Sequence, residues 1–256
     1  MAALADKRII ITGAASGMGA AMVAAFADAG AKIVGLYRYR TPGEVRRQLD
    51  LAKLPQVHFL HCDVASRQEV AAAIPQAVNL LGGLDVFVNA AGIAPGAPAE
   101  EITEEAWEEV FAINARGTFL TNQAVFPFLK VAGGKIINFA SGAGVSGQTG
   151  KAHYAASKGA VLAWTRSIAR EWGKYGIAVN AIAPAIWTPM YDRTRSSMTQ
   201  AQLALHDVEM AKMIPLGGKL GDPQRDFASY MVFLAGDGAT FITGQTIKID
   251  GGLLML

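Results

Sequence analysis

Short apolar runs with the composition of β-strands alternate with longer helical runs along this chain of 256 residues. Strands are predicted at residues 7–12, 32–37, 57–61, 84–89, 135–140, 177–183 and 245–249. Helices are predicted at residues 17–29, 43–52, 66–80, 103–130, 152–173, 199–213 and 223–235. Apolar strands separated by helices form a parallel sheet that is covered on both faces. The alternation therefore predicts an α/β fold, one domain over residues 1–256, with a doubly wound parallel sheet of about seven strands.

The first predicted strand runs directly into a glycine-rich turn and then into a helix. Gly13, Gly17 and Gly19 follow the strand, and small residues dominate the next turns. Glycines let a backbone approach a pyrophosphate, whose charge is met by the N–H groups of the following helix. This order predicts a Rossmann-type dinucleotide site, although the spacing is TGxxxGxG and not GxGxxG. The ligand crevice is expected at the carboxyl ends of the strands.

A serine, a tyrosine and a lysine form a second pattern. Tyr154 and Lys158 are four positions apart in an alanine-rich helical stretch, so they lie on one helix face. A phenol is a poor base at neutral pH, but a nearby ammonium group favours its anion. Ser141, at the end of a strand, is expected to donate a hydrogen bond to the same oxygen. The three residues predict a site that moves a proton on and off an alcohol or carbonyl oxygen.

Composition argues against several classes of protein. The chain is 52% hydrophobic and 17% charged, with a formal net charge of +2, so it can bury a large core and has no strong field to attract nucleic acid. The single Cys62 cannot form an intrachain disulfide, and the apolar runs are too short to span a membrane. The first strand leaves no room for a signal peptide, so a cytoplasmic location is expected. His58 and His61 alternate on a strand and point to opposite faces, so no metal site is predicted.

Seven motifs occur in one order along the chain. They are Thr12-Gly13-x-x-x-Gly17-x-Gly19, Asn89-Ala90-Ala91-Gly92, Asn114, Ser141, Tyr154-x-x-x-Lys158, Pro184 with Thr188, and Ile249-Asp250-Gly251-Gly252. The set resembles the short-chain dehydrogenase/reductase family, in its compact form, over essentially the whole length of the chain. The resemblance implies a nicotinamide cofactor and the catalytic residues Asn114, Ser141, Tyr154 and Lys158.

The same resemblance implies a set of cofactor-binding residues along the strand ends. They are Gly13, Ser16, Gly17, Met18, Gly19, Tyr37, Arg38, Asp63, Val64, Asn89, Ala90, Gly92, Tyr154, Lys158, Pro184 and Thr188. In the family, the residue at Asp63 contacts the adenine, with Val64 packed beside it. An asparagine at position 114 loosens its helix and helps to hold a water beside the catalytic lysine.

The end of the second strand predicts which cofactor is preferred. Relatives that prefer NAD carry an acidic residue where this chain has Tyr37. Arg38 follows, with Arg40 close by, and resembles the arginine with which other members bind the 2′-phosphate of NADP. Ser16 argues against a preference for NADP, because many NADP-preferring relatives have a basic residue at that position. NADP(H) is favoured over NAD(H), and the alternative is that the arginines are only solvated.

The resemblance also implies a mobile lid at about residues 187–214. Its apolar residues, among them Leu205, Val208 and Met213, spread around more than one helical face, which suggests a hydrophobic substrate. The alternative is a lid packed on the core or on a neighbouring subunit. Ala185 follows Pro184 where the family usually has glycine, which is expected to alter the nicotinamide side of the pocket.

Three functions are compared. The favoured one is an NAD(P)(H)-dependent oxidoreductase that interconverts a ketone and a secondary alcohol. A reductase of 3-oxoacyl groups on acyl carrier protein would need a basic docking patch, for which Lys130 and Lys135 are candidates. A non-catalytic dinucleotide sensor would be expected to lack part of the Ser-Tyr-Lys set, which is complete here.

An oligomer, a tetramer by resemblance, is also expected. A small-residue helix face at Ala155, Ala156, Gly159 and Ala160 and the apolar residues 253–256 are consistent with it. Two local features are also predicted. His153 lines the pocket or lies on the surface, and Ser66 forms a capping box with Glu69.

Overall fold

The computed structural model describes residues 2–38 and 54–255. The predicted helix 43–52, Arg40 and Leu256 lie outside the described residues. Within the described ranges, no helix is both long and apolar enough to cross a membrane.

The described residues form one parallel sheet of seven strands, in the order β3-β2-β1-β4-β5-β6-β7. The strands are β1 (Arg8–Thr12), β2 (Lys32–Tyr37), β3 (Val57–His61), β4 (Val86–Asn89), β5 (Gly134–Phe139), β6 (Ile177–Pro184) and β7 (Thr246–Ile249). All seven lie within two residues of the predicted bounds, because each is an apolar run with a clear break at its end. The doubly wound sheet is confirmed.

Helices connect the strands. They are α1 (Gly17–Asp28), α2 (Arg67–Leu81), α3 (Glu104–Phe111), α4 (Gly117–Leu129), α5 (Gly142–Ser146), α6 (Ala152–Trp172), α7 (Pro189–Ser196), α8 (Gln200–Met213) and α9 (Ser229–Ala235). A π-helical turn, Ala112–Arg116, joins α3 to α4, so the helix predicted over residues 103–130 changes its geometry around Asn114, where the resemblance implied a loosened helix. A second π-helical turn, Pro223–Ala228, precedes α9.

Each face of the sheet has its own core, and β1 contributes to both. Ile9 and Ile11 pack with Phe26 of α1 and Met231 of α9 in one cluster. Ile10 points the opposite way and packs with side chains of α2, α4 and α6. All three isoleucines are fully buried, which explains why the strand reads as a continuous apolar run and not as an alternating one.

The strand order reverses between β1 and β4, and this reversal positions the site. β1 leads outward through β2 to β3, and the chain then returns to pair β4 with the other side of β1. Thr12 and Asn89, the last residues of the two strands, are paired in register. In sheets of this kind the ligand crevice opens outside the carboxyl ends of the strands at the reversal.

The predicted capping box at α2 is only half formed. The Ser66 side chain accepts a hydrogen bond from the Glu69 N–H at 3.3 Å, but the Glu69 carboxylate accepts from the N–H of Asp63 at 2.9 Å. It also lies 3.2 Å from His61 Nδ1. Glu69 therefore ties the helix to the end of β3 and not to its own cap. A complete capping box occurs instead at Thr199 and Gln202, at the start of α8.

Candidate active site

A cavity of about 350 Å³ opens at the carboxyl ends of β1, β4, β5 and β6. Predicted site residues that line it are Gly13, Ser16, Gly17, Met18, Gly19, Ala90, Gly92, Ser141, Tyr154, Lys158, Pro184 and Thr188. A neighbouring cavity of about 170 Å³ is lined by Tyr37, Arg38, Asp63 and Val64 and shares Gly13, Ser16 and Gly92 with the first. The two form one crevice. The remaining predicted residues, Asn89 and Asn114, are buried behind its wall.

Ser141 follows β5 and begins α5. Its backbone is extended, and its hydroxyl accepts a hydrogen bond from the N–H of Ala143 at 3.2 Å. α5 lies directly on α6, since a Cβ at Gly144 would sit 2.6 Å from the carbonyl carbon of Lys158. This contact holds Ser141 beside the helix that carries Tyr154 and Lys158.

The phenol of Tyr154 has a raised pKa. Burial has the largest effect, and a hydrogen bond with the Ser141 side chain opposes it. The net pKa shift is opposite to the lowering that was expected from a neighbouring ammonium group, because desolvation outweighs the hydrogen bond with Ser141. Lys158 Nζ lies 6.0 Å from the centroid of the Tyr154 ring. The structure therefore favours a protonated phenol at neutral pH.

Lys158 lies in the wall of the cavity with only 4% of its surface exposed. Its ammonium group donates a hydrogen bond to the carbonyl of Phe139, the last residue of β5, at 2.7 Å. Burial lowers the pKa of Lys158 from 10.5 to about 8. The lysine is thus anchored by the strand that also leads to Ser141.

Asn114 sits in the π-helical turn and clamps the loop after β4. Its Oδ1 accepts from the N–H of Ile93 at 3.0 Å, and its Nδ2 donates to the Ile93 carbonyl at 2.9 Å and to Ser157 Oγ at 3.0 Å. Ser157 in turn donates to the carbonyl of Tyr154 at 2.7 Å. Through the hydrogen bonds of its side-chain amide, Asn114 therefore joins the π-helical turn, the cavity wall and the helix that carries Tyr154.

A chain of buried hydrogen bonds runs from β1 to the same turn. The N–H of Ala91 donates to Thr12 Oγ1 at 3.0 Å, and Thr12 donates to Asn89 Oδ1 at 2.9 Å. Asn89 Nδ2 donates to Thr118 Oγ1 at 2.8 Å, and Thr118 donates to the carbonyl of Asn114 at 2.7 Å. Asn89 thus supports the crevice wall from behind. Thr12 and Thr118 belong to the same hydrogen-bond chain and were not among the predicted site residues.

Gly13 brings the glycine loop against the loop after β4. Its φ of +65° favours glycine, and a Cβ there would lie 3.0 Å from the backbone of Ala91. Gly17, Met18 and Gly19, the first residues of α1, line the same crevice. Such a cradle fits the pyrophosphate of a dinucleotide, which is the group that the sequence predicted for it.

The second cavity contains the residues expected to select the cofactor. Arg38 Nε lies 3.0 Å from Asp63 Oδ2, and Asp63 Oδ1 accepts from the N–H of Ala65 at 2.9 Å. Tyr37 is 5% exposed, and its ring packs edge-on against His61, with 5.8 Å between the ring centroids. Arg38 is thereby held at the rim of the cavity, and Asp63 contacts this arginine as well as facing the crevice.

Within the segment 187–214, the described residues that line the main cavity are Thr188 and three residues of α7. Pro189, Met190 and Arg193 line the cavity, and sequence reasoning missed all three because α7 is too short to show a periodic pattern. The apolar residues expected to meet a substrate lie elsewhere. Leu205 and Val208 are 62% and 51% exposed, and α8 contributes no residue to the described lining of the cavity. Their pattern does not support a hydrophobic substrate.

Two further sequence expectations are wrong. His153 is neither in the pocket lining nor on the surface, since only 1% of it is exposed and its Nδ1 is buried without a partner among the described residues. Lys135 is 8% exposed and its ammonium group donates to the carbonyls of Leu234 and Gly236. A buried Lys135 cannot belong to a basic docking patch for acyl carrier protein.

The fold and the convergence of Ser141, Tyr154 and Lys158 define an α/β oxidoreductase. Comparison with known proteins agrees. A family model described as enoyl-(acyl carrier protein) reductase matches residues 13–254. L-fucose dehydrogenase of Oryctolagus cuniculus is 36% identical over 250 residues, which are 97% of this chain and 85% of that protein.

Other similarities extend over the same length. The 3-oxoacyl-(acyl-carrier-protein) reductase FabG of Thermotoga maritima is 34% identical over 256 residues, 98% of this chain and 99% of that protein. The crystal structure of Cj0485 dehydrogenase has a TM-score of 0.91 at 27% identity, and the match covers 100% of this chain and 97% of the other. The chain belongs to the short-chain dehydrogenase/reductase family, whose members use nicotinamide dinucleotides. It is an oxidoreductase that acts on alcohol and carbonyl groups.

Proposed function

We propose that this enzyme interconverts a ketone and a secondary alcohol with NADP(H) as its preferred cofactor and Tyr154 as the acid/base. The observation that carries the proposal is the meeting of Ser141, Tyr154 and Lys158 in one cavity with the glycine loop. The residues at the start of α1 would hold the pyrophosphate, and Lys158 and Thr188 would hold the nicotinamide half. The nicotinamide supplies or accepts the hydride.

In the reducing direction, Tyr154 donates its phenolic proton to the substrate oxygen. The raised pKa of Tyr154 favours this role, because the phenol keeps its proton at neutral pH. The Ser141 hydroxyl donates a hydrogen bond to the same oxygen and fixes its position. In the oxidising direction, the Tyr154 oxygen takes the proton from the alcohol, so oxidation is expected to gain from alkaline pH.

We propose a small hydroxylated substrate. The exposed apolar residues of α8 lie outside the cavity lining, and the relative with 36% identity is named for oxidation of the sugar L-fucose. The segment 187–214 would act as a lid. Its two helices are joined by a hydrogen bond of 2.6 Å between Tyr191 and His206 and by the Arg195–Asp207 ion pair, so they are expected to move together.

Replacing the phenol tests the chemistry. Tyr154→Phe removes the oxygen and keeps the ring, so turnover should fall at least about 10²-fold while cofactor affinity is retained. The assay follows the absorbance of reduced nicotinamide with sugars, polyols and simple ketones. Tyr175→Phe, the same change at a tyrosine on a distant surface, should leave turnover unchanged. If Tyr154→Phe keeps more than about a tenth of wild-type turnover with chemistry rate-limiting, Tyr154 is not the acid/base.

Replacing Arg38 tests the cofactor. A guanidinium on the 2′-phosphate makes charge-assisted hydrogen bonds, so Arg38→Ala should weaken NADP(H) by about 10- to 100-fold and leave NAD(H) unaffected. Calorimetric titration of both cofactors measures this, with Arg170→Ala as a control for an exposed arginine elsewhere. Equal losses for the two cofactors, or tighter wild-type binding of NAD(H), would reject the preference.

A further inference from the structure

One face of α7 forms part of the cavity wall and carries an arginine. Pro189, Met190 and Arg193 line the cavity, and their spacings of three and four residues put them on one side of the helix. Ser141 and Tyr154 line the same cavity. Arg193 therefore adds a positive charge to the space in which cofactor and substrate meet.

The other polar side chains around Arg193 already have partners. Trp187 Nε1 donates to Asp192 Oδ1 at 2.7 Å, and Arg195 Nη2 donates to Asp207 Oδ2 at 2.9 Å. The Arg193 carbonyl accepts a hydrogen bond from Ser196, but its guanidinium group has no hydrogen-bond or ion-pair partner in the part of the chain that the structure describes. The described residues that line the cavity include Lys158 and Arg193 as cations and neither Asp nor Glu. The wall is therefore suited to an anion.

The position of α7 indicates which anion Arg193 meets. The first turn of this helix touches the glycine loop, because a Cβ at Gly17 would lie 3.9 Å from Pro189 Cδ and from the Thr188 methyl group. Side chains on a helix lean toward its N-terminus, so the Arg193 side chain is expected to extend over Pro189 toward the same loop. Gly17, Met18 and Gly19, at the start of α1, line the cavity there.

We propose that Arg193 binds the pyrophosphate of the dinucleotide from the side opposite the glycine loop and so fastens the lid over the cofactor. The inference rests on the cofactor proposed above. The negative charge that Arg193 meets could belong to the pyrophosphate of the cofactor or to an anionic substrate, and the two differ in which elements they contact. A pyrophosphate contacts both elements, whereas an anionic substrate contacts α7 alone.

The test separates these sources with ligands that bind without turnover. ADP-ribose carries the pyrophosphate and lacks the nicotinamide, whereas adenosine 2′-phosphate keeps the adenine and lacks the pyrophosphate. Calorimetric titration of Arg193→Met should show an affinity for ADP-ribose lowered by about 10- to 100-fold and an unchanged affinity for adenosine 2′-phosphate. Arg193→Lys should recover part of the loss, because an ammonium group keeps the charge without the bidentate geometry.

Arg166→Met, at an exposed position on α6, controls for loss of an arginine outside the cavity. Arg193 is exposed, so its variants should keep the wild-type melting temperature. Unchanged binding of ADP-ribose by Arg193→Met overturns the inference, and a raised KM for carboxylated substrates alone would assign the arginine to the substrate. A wild-type protein that binds neither ADP-ribose nor NADP(H) would refute the cofactor proposal itself, which distinguishes that failure from a failure of Arg193.

Discussion

At the scale of single residues, burial has the largest effect on both ionisable groups of the tyrosine helix. It raises the pKa of Tyr154 and lowers that of Lys158, so each group is shifted toward its uncharged form. The spacing in the sequence predicts that the two residues share a helix face. The spacing does not predict how far the two side chains are removed from water, because their burial depends on the packing of β5 and α5 against the helix. For this reason the predicted direction of the Tyr154 shift is wrong although the residue is in the expected place.

The buried ammonium group of Lys158 should make the folded protein less stable at neutral pH. Between pH 8 and 10.5 the unfolded chain holds the proton more tightly, so the stability rises with pH through this window. The penalty is fully present below pH 8 and amounts to about 3 kcal/mol at 1.36 kcal/mol per unit of pKa.

Lys158→Met should therefore raise the free energy of unfolding at neutral pH by about 1–3 kcal/mol, once the lost hydrogen bond to Phe139 is counted. Activity should be lost and cofactor affinity reduced. Denaturant unfolding at neutral pH and above pH 10.5 measures the effect, which should disappear at the higher pH. Lys212→Met, at an exposed position on α8, should change stability little at either pH. A destabilised Lys158→Met at neutral pH would contradict this account.

At the scale of secondary-structure elements, apolar strands and long helices were predictable from the sequence, and short helices were not. The seven strands and helices such as α2 and α6 follow from apolar runs and helical periodicity. α5 has five residues and α7 has eight, so neither carries enough pattern to be distinguished from a loop. These two helices hold Ser141 and Arg193, so the unpredicted elements contribute directly to the site.

The contact between α5 and α6 should be sensitive to a single methyl group. At Gly144 a Cβ would lie 2.6 Å from the backbone of Lys158, so Gly144→Ala must push the two helices apart. The change should cost about 1–3 kcal/mol of stability and lower kcat, because Ser141 is displaced from Tyr154. Circular-dichroism melting and steady-state kinetics check both effects.

Gly159→Ala is the matched control, since it faces the same contact from α6. A Cβ there meets only the carbonyl oxygen of Gly144, at 3.6 Å, which is an ordinary contact. Replacing a glycine inside a helix with alanine should then be neutral or stabilise by up to about 1 kcal/mol. Equal behaviour of the two variants would show that the contact does not position Ser141. The small-residue face predicted for a neighbouring subunit is thus partly used within the chain.

At the scale of the whole molecule, the sequence predicted which residues approach the crevice and missed what surrounds them. Twelve predicted residues line the main cavity because the fold collects the carboxyl ends of its strands at one edge. Contacts between different segments of the chain determine several features that were missed. These are the burial of His153 and Lys135, the Arg38–Asp63 ion pair and the contacts of the Glu69 carboxylate with the end of β3. Such contacts leave no periodic signal in the chain, so only the folded arrangement reveals them.

The loop after β4 has irregular backbone geometry, but buried side chains hold two of its amide groups. The N–H of Ala91 is bonded to Thr12 and that of Ile93 to Asn114, and both partners are fully buried. These two amide hydrogens should therefore exchange with deuterium as slowly as those of the central strands. Thr12→Val should speed exchange at Ala91 and Asn114→Ala at Ile93, as measured by NMR. Fast exchange at both positions in the wild type would contradict the prediction, whereas slow exchange would mean that an irregular segment opens on the timescale of the core.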